Sequence, residues 1–266
     1  MYYIYLWKNV QEIHWLNFQS VVNIDFYPGK CHFYIGKILM CQKIILYHGS
    51  QFIIKKPVYG EGNPKNDYGL GFYCTQEIEI ANEWACTEKE NGYANKYELD
   101  ISNLSVMRLN GTDYNILNWI AILLNNRSFQ ISNEIAEEGK KFLLSRFLPD
   151  IDNTDIIVGY RANDSYFSFA NAFLNNTLSL NQLKKAMHLD NSGEQTVLKS
   201  KNAFEQIQFI ESLPAEKEIY FPKRYTRDNE ARNAHRTERK TQPVTDSIYL
   251  IDILRENWSN DNARLR

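Results

Sequence analysis

The sequence contains no apolar run approaching the roughly 18 residues that cross a bilayer, so no segment reads as a transmembrane helix. Its opening, Met1 to Trp7, has neither a basic n-region nor a small-residue cleavage site and does not read as a secretory signal. Cysteine is scarce: Cys31, Cys41, Cys74 and Cys86 show no CxxC spacing and no framework of paired bridges. Five scattered histidines add no zinc ligand set, so no metal site is expected. Reduced thiols in a cytoplasm are the simple reading. Charge of one sign is also missing, 30 Lys and Arg standing against 32 Asp and Glu. A net charge of −2 gives no overall drive toward nucleic acid or an anionic membrane, and such binding would need a local patch. With 12 glycines and 7 prolines, no Pro/Gly/Ser-rich linker divides the chain, which favours one domain with appendages. No internal repeat is visible.

What is present is enough to build a sizeable core, with 44% apolar residues over 266 positions. Aromatics make up 14%, including 17 tyrosines, a surplus that serves a core or lines a pocket. Residues 1–42 are rich in Tyr, Trp, His and Phe without a clear period. They read as an N-terminal extension, and translation from Met40 would dispense with nearly all of it. The pattern sharpens from Lys43. Ile44 to Tyr47 suits a buried strand, Phe72 to Cys74 is a second short one, and Gln76 to Glu88 carries apolar residues at helical spacing. Further strands are expected at Ala94 to Ile101, Ser105 to Leu109, Asp155 to Gly159, Gln195 to Lys199 and Gln208 to Leu213. Helices are expected at Tyr114 to Asn126, Asn133 to Phe147, Ser165 to Leu174, Ser179 to Met187 (with Ser179 as N-cap) and Lys201 to Ile207. A charged helical tail begins at Pro222, and Tyr249 to Trp258 reads as an amphipathic helix. Strands and helices mix without βαβ alternation, so the fold class is α+β, with a domain over 43–213 and a tail over 214–266.

Three short segments carry candidate chemistry. In Tyr47-His48-Gly49-Ser50, at a strand end, the histidine could donate a ring N–H to a ribose hydroxyl, and Gly49 could let a flat amide approach its backbone. Asp67-Tyr68-Gly69-Leu70-Gly71-Phe72-Tyr73-Cys74-Thr75 holds a Gly-x-Gly, but Cys74 stands where a dinucleotide fingerprint needs its third glycine. What remains is a tight backbone followed by a ring able to stack on a flat cationic group such as nicotinamide. In Gly193-Glu194-Gln195-Thr196-Val197-Leu198, a carboxylate or amide opens an apolar strand and could hold a sugar 2′-hydroxyl. Each segment alone is equally compatible with an ordinary turn beside a core strand.

Taken together they resemble the poly(ADP-ribose) polymerase pattern of HGS, then GKGIYFAD, then a helix with a second aromatic eleven residues after the first. Here Trp84 lies eleven residues after Tyr73. The chain is more closely similar to the bacterial DUF3990 family. The likeness lies in the YHGS opening, the DYGLGFYCT segment with its Ala/Trp helix, the Asp155 to Gly159 strand, the Arg161 to Tyr166 segment, and a Gln heading the late strand. This resemblance spans about Ile44 to Phe209 and implies an ADP-ribosyltransferase-like split β-sandwich with helical insertions. It implies NAD⁺ as substrate, with ADP-ribose passed to an acceptor such as a protein or nucleic acid. His48, Tyr73 and either Gln195 or Glu194 would be catalytic, and Gly49, Ser50, Gly71, Thr75, Trp84 and Arg161 would bind NAD⁺. Nicotinamide would lie between Tyr73 and Trp84. Genes of this kind often sit beside a small partner gene, so a toxin with a small antitoxin protein is a further expectation. A glutamine in place of the usual glutamate can bond the 2′-hydroxyl but does not offset oxocarbenium charge. That argues against chain growth and leaves single transfer, NAD⁺ hydrolysis, or an NAD⁺-binding module without catalysis. Arg161 with Asp164 could reach a phosphate. The tail cluster Lys223, Arg224, Arg227, Arg232, Arg236, Arg239 and Lys240, broken by Asp228, Glu230 and Glu238, reads as a solvated face or a groove for an acidic partner.

Overall fold

The structure is a computed structural model that describes residues 42–161, 164–186, 194–241 and 247–265. The expected extension 1–42 therefore lies, but for Gln42, outside the described residues, as do the side chain of Asp164 and those of Arg232, Arg236, Arg239 and Lys240. Residues 41–266 cluster as one compact unit.

Among the described residues, seven strands form two sheets. In the first, β1 (Lys43–Ser50) pairs with β3 (Gly92–Asp100), and β3 with β7 (Ile207–Ala215), all antiparallel. In the second the order is β2 (Phe72–Cys74), β6 (Glu194–Leu198), β5 (Ile156–Tyr160) and β4 (Val106–Arg108), antiparallel except for the parallel β4–β5 pair. Side-chain alternation gives each strand two faces. Leu46 and Leu99 of the first sheet share one apolar cluster with Cys74, Ile156, Val158 and Leu198 of the second, so one face of each sheet packs against the other. The fold is thus α+β with two facing sheets.

The opposite face of the second sheet, through Ile157 and Val197, enters a larger cluster with the helices. At its centre is α2 (Ile116–Asn126), which is apolar nearly all round and buried from Ile116 to Leu124, as a core helix must be. Asn115 and Asn118 close a capping box at its start. Around it lie α3 (Glu134–Phe147), α4 (Asp164–Leu174) and α5 (Leu180–Ala186), the last capped by Ser179 Oγ, which accepts the Gln182 N–H at 3.2 Å. Next in chain order are α6 (Lys201–Gln206), α7 (Lys217–Thr241) and α8 (Leu250–Arg255). Leu250, Ile253 and Trp258 sink into the same core, so α8 packs back on the body of the fold.

Two elements run further than their local signals. β7 continues through Pro214 to Ala215 because it is an edge strand, where a missing N–H costs no ladder bond. α7 begins at Lys217, ahead of Pro222. Its first turn is held by Tyr220 and Phe221, which pack on Ala85, Cys86 and Ala215. The Lys217 N–H donates to Asn91 Oδ1 at 2.9 Å. α1 (Ile78–Ala85) lies between α7 and the first sheet. Cys74 and Cys86 are buried free thiols. No described helix is long and apolar enough to cross a membrane.

Candidate functional site

The two sheets meet edge to edge at one place. Tyr47 of β1 and Thr75, just after β2, exchange N–H···O bonds of 2.7 and 2.9 Å. Beside this bridge opens a cleft of about 980 Å³, at the upper end of the range for small-molecule sites. His48, Gly49, Gly71, Tyr73, Thr75, Trp84, Arg161 and Gln195 all line it. These residues come from three strands, a helix and the loops between them, so the fold gathers eight of the ten expected site residues at one cleft. Ser50 and Glu194 do not line it.

His48 projects from β1, stacked on Phe72 with ring centroids 4.4 Å apart. Its Nδ1 lies 2.7 Å from the Tyr73 carbonyl, which can only accept, so Nδ1 carries the proton. Burial lowers the pKa of the imidazole, with the bond to the Tyr73 carbonyl pulling the other way. The ring is therefore neutral near pH 7, and Nε2 presents a lone pair. The one ring N–H is thus spent on Tyr73, which leaves Nε2 as an acceptor and not a donor.

Gly49 also has a packing reason to be glycine. A Cβ there would stand 2.0 Å from the Ala81 carbonyl oxygen, so glycine is required for α1 to sit on β1. Its backbone is nevertheless well placed. Backbone groups alternate sides along a strand, and those of Tyr47 point across to Thr75, away from β3. Gly49, two residues on, turns its N–H and C=O to the same free edge, beside the cleft. Ser50 points elsewhere: its Oγ accepts the Phe52 N–H at 3.1 Å and closes a turn.

Tyr73 is clamped through its hydroxyl. The O–H donates to the Gly69 carbonyl at 2.6 Å and accepts the Tyr68 N–H at 3.1 Å. Burial raises the phenol pKa well above its ordinary range, so it stays a donor at any working pH. Lys199, following β6, donates to the Tyr68 and Leu70 carbonyls at 2.6 Å each. The loop is thus stapled from both sides. Gly71 is needed because a Cβ would meet Val197 Cγ1 at 2.7 Å and the Leu198 carbonyl oxygen at 2.8 Å on β6. Thr75 Oγ1 accepts the Glu77 N–H at 3.2 Å, so its hydroxyl helps start α1.

Strand alternation separates Gln195 from Glu194. Gln195, opposite Gly159, lines the cleft and is 3% exposed. Glu194, opposite Tyr160, is exposed and faces a separate small hollow with Gln76 and Thr196. The cleft does hold a carboxylate that local patterns left without a role. Asp67 is buried, takes Arg127 on Oδ1 at 2.8 Å, and accepts Gln195 Nε2 on Oδ2 at 3.2 Å. Asp67 heads the glycine-bearing segment, but its partners stand 60 and 128 residues away, and no spacing rule reaches that far.

A family model described as a protein of unknown function (DUF3990) matches residues 44–209. The chain belongs to this family. Comparison with curated proteins and with solved structures finds no match. The DUF3990 segment contains both sheets almost entire and the floor of the cleft.

The rim of the cleft draws on residues outside the DUF3990 segment. Arg224 and Arg227, three apart on α7, both line it. The Trp84 ring has the Arg161 guanidinium carbon 4.2 Å from its centroid and that of Arg224 at 4.5 Å, so its indole already receives two cations. Arg227 pairs with buried Glu83 at 2.6 Å, and Lys223 with Glu79 at 2.8 Å, laying α7 along α1. In the described part of the basic tail cluster, Lys223 is exposed and paired with Glu79, while Arg224 and Arg227 line the cleft. Its i, i+3 arginines were visible as a cluster, but which face α7 would bury was not.

Proposed function

We propose that this protein is an NAD⁺-dependent ADP-ribosyltransferase with an ADP-ribosyltransferase-like fold. One observation carries the reading: His48, Tyr73 and Gln195, borne by three strands of two sheets, line a single cleft beside the free backbone edge of Gly49. The parts match the chemistry of breaking a nicotinamide–ribose bond. The Gly49 N–H and C=O suit a carboxamide, which offers an acceptor oxygen and a donor NH₂ group. The Tyr73 ring, held by its clamped hydroxyl, suits a flat cationic heterocycle. His48 Nε2 and Gln195 can each bond a ribose hydroxyl.

In the reaction the C1′–N1 bond breaks heterolytically and its electron pair stays on the nicotinamide nitrogen, which leaves neutral. Positive charge spreads over C1′ and the ring oxygen. An acceptor nucleophile, a protein or nucleic-acid group, then bonds C1′ and releases its proton to solvent. Arg161 and Arg224 at the rim suit the diphosphate. We place the protein in a cytoplasm, as the toxin of a pair with a small antitoxin partner.

A second reading is a module that binds NAD⁺ or ADP-ribose without cleaving it and acts through protein–protein contact. It is favoured by the amide at position 195 and by the two guanidiniums already on Trp84. Nicotinamide release from NAD⁺ by the purified protein, with and without cell lysate and against His48→Ala, tests the proposal. Release that needs His48 supports the transferase, and lysate dependence points to a specific acceptor. NAD⁺ binding without release replaces it with the second reading.

A further inference from the structure

The amide of Gln195 has only one orientation open to it. Its Nε2 lies 3.2 Å from Asp67 Oδ2 and 3.4 Å from the Tyr160 carbonyl oxygen. A carboxylate and a carbonyl only accept, so the NH₂ end must face them and Oε1 is the end turned from both. The carboxylate that dictates this is itself fixed. Arg127 holds Oδ1 from the far side, and Asn126 Nδ2 donates to the Asp67 main-chain carbonyl at 3.1 Å. The Arg127–Asp67 pair is thus a dipole with its negative end against Gln195.

A glutamate at position 195 would do two jobs at once, accepting a hydroxyl and supplying negative charge to a developing oxocarbenium ion. Here the jobs are separable. We propose that Asp67 is the positioning residue of this site: it presents Gln195 as a pure acceptor to the ribose 2′-hydroxyl and supplies the negative charge that glutamine lacks. The inference rests on the transferase reading above. It has a consequence that a merely structural Asp67 does not have. Gln195→Glu sets two carboxylates about 3 Å apart, where both cannot ionise, so restoring the acid at 195 defeats the site unless Asp67 is neutralised as well.

The experiment compares steady-state nicotinamide release from NAD⁺ by wild type, Asp67→Asn, Gln195→Glu and the double variant, with thermal unfolding of each as the folding control. Asp67→Asn is expected to lower kcat on the order of 100-fold with KM nearly unchanged, the loss typical of removing one preorganised charge-stabilising group. Gln195→Glu alone is expected to be similarly impaired, and the double variant to return within about tenfold of wild type, since it again holds one carboxylate and one amide. Rescue by the double variant carries the proposal even where Asp67→Asn alone is unstable. Wild-type kcat in folded Asp67→Asn, or in Gln195→Glu with Asp67 intact, overturns it, as does failure of the folded double variant to recover. A wild-type protein that releases no nicotinamide overturns the functional reading and this inference together, so the two failures are distinguishable.

Discussion

His48 Nδ1 and the carbonyl oxygen of Tyr73 lie 2.7 Å apart, joining one sheet to the other through the residues that face the cleft. The contact sets the tautomer, while burial of the ring sets the pH behaviour by lowering its pKa. The unfolded chain binds a proton at His48 near pH 6.5, and the folded chain only at lower pH. Between those values the unfolded state holds more protons, so stability rises with pH up to about 6.5 and is lost as pH falls further. Protonation also destroys the Nε2 acceptor. The kcat/KM for nicotinamide release should therefore show an acid limb below pH 6.5. The slope of stability against pH over that window should shrink in His48→Gln. A profile that stays flat through the pH at which the folded protein takes up the His48 proton contradicts the acceptor role.

Gly49→Ala tests the packing of α1. The new methyl would stand 2.0 Å from a helix carbonyl, and neither strand nor helix backbone can yield cheaply. A loss of about 3 kcal/mol, the upper part of the range for overpacking, is expected in chemical denaturation. A stable Gly49→Ala protein with unchanged unfolding midpoint would mean that α1 does not seat on β1 as described.

Tyr73 separates ring from hydroxyl. Tyr73→Phe keeps the ring but leaves the Gly69 carbonyl and Tyr68 N–H without their bonds, for a cost of about 1–3 kcal/mol. Tyr73→Ala removes the stacking surface as well and should abolish nicotinamide release. An equal loss of activity in the two variants would show that the clamp, not the ring, is what the cleft needs.

Glu194→Gln should leave nicotinamide release within about twofold of wild type, in line with ordinary surface substitutions, because Glu194 lies on the other face of β6. A large loss would reverse the assignment between Glu194 and Gln195.

Arg227→Ala strands the buried carboxylate of Glu83. Breaking a buried pair costs about 3–5 kcal/mol, and the partial exposure of Arg227 brings the expected loss nearer to 2. Hydrogen exchange should show α7 opening more often, and Glu83→Gln should restore much of its protection.

Much of this was legible from residues near one another in the chain. Ile116 to Leu124, apolar at every position but Asn118, announces a core helix within the expected Tyr114 to Asn126 stretch. Gly69, Gly71 and Tyr73 mark a loop that must run close to something. Which strand it meets depends on the pairing of Phe72 with Leu198, a choice of register that β6 does not encode locally. That register also separates Gln195 from Glu194. Asp67 remained without a role because its meaning lies in Arg127 and Gln195, brought to it by α2 and β6. The packing need for glycine at position 49 was not legible, since a glycine's neighbours cannot be read from its own position.

The division between floor and rim has a practical consequence. His48, Tyr73 and Gln195 sit inside the family segment, while Arg224 and Arg227 arrive on a helix beyond it, held by the Arg227–Glu83 and Lys223–Glu79 pairs. Under the proposed function, exchanging the arginine-bearing turns of α7 would re-address the protein, changing which negatively charged molecule is admitted while leaving its reactivity in place. Selectivity and chemistry would be separately editable in one short chain.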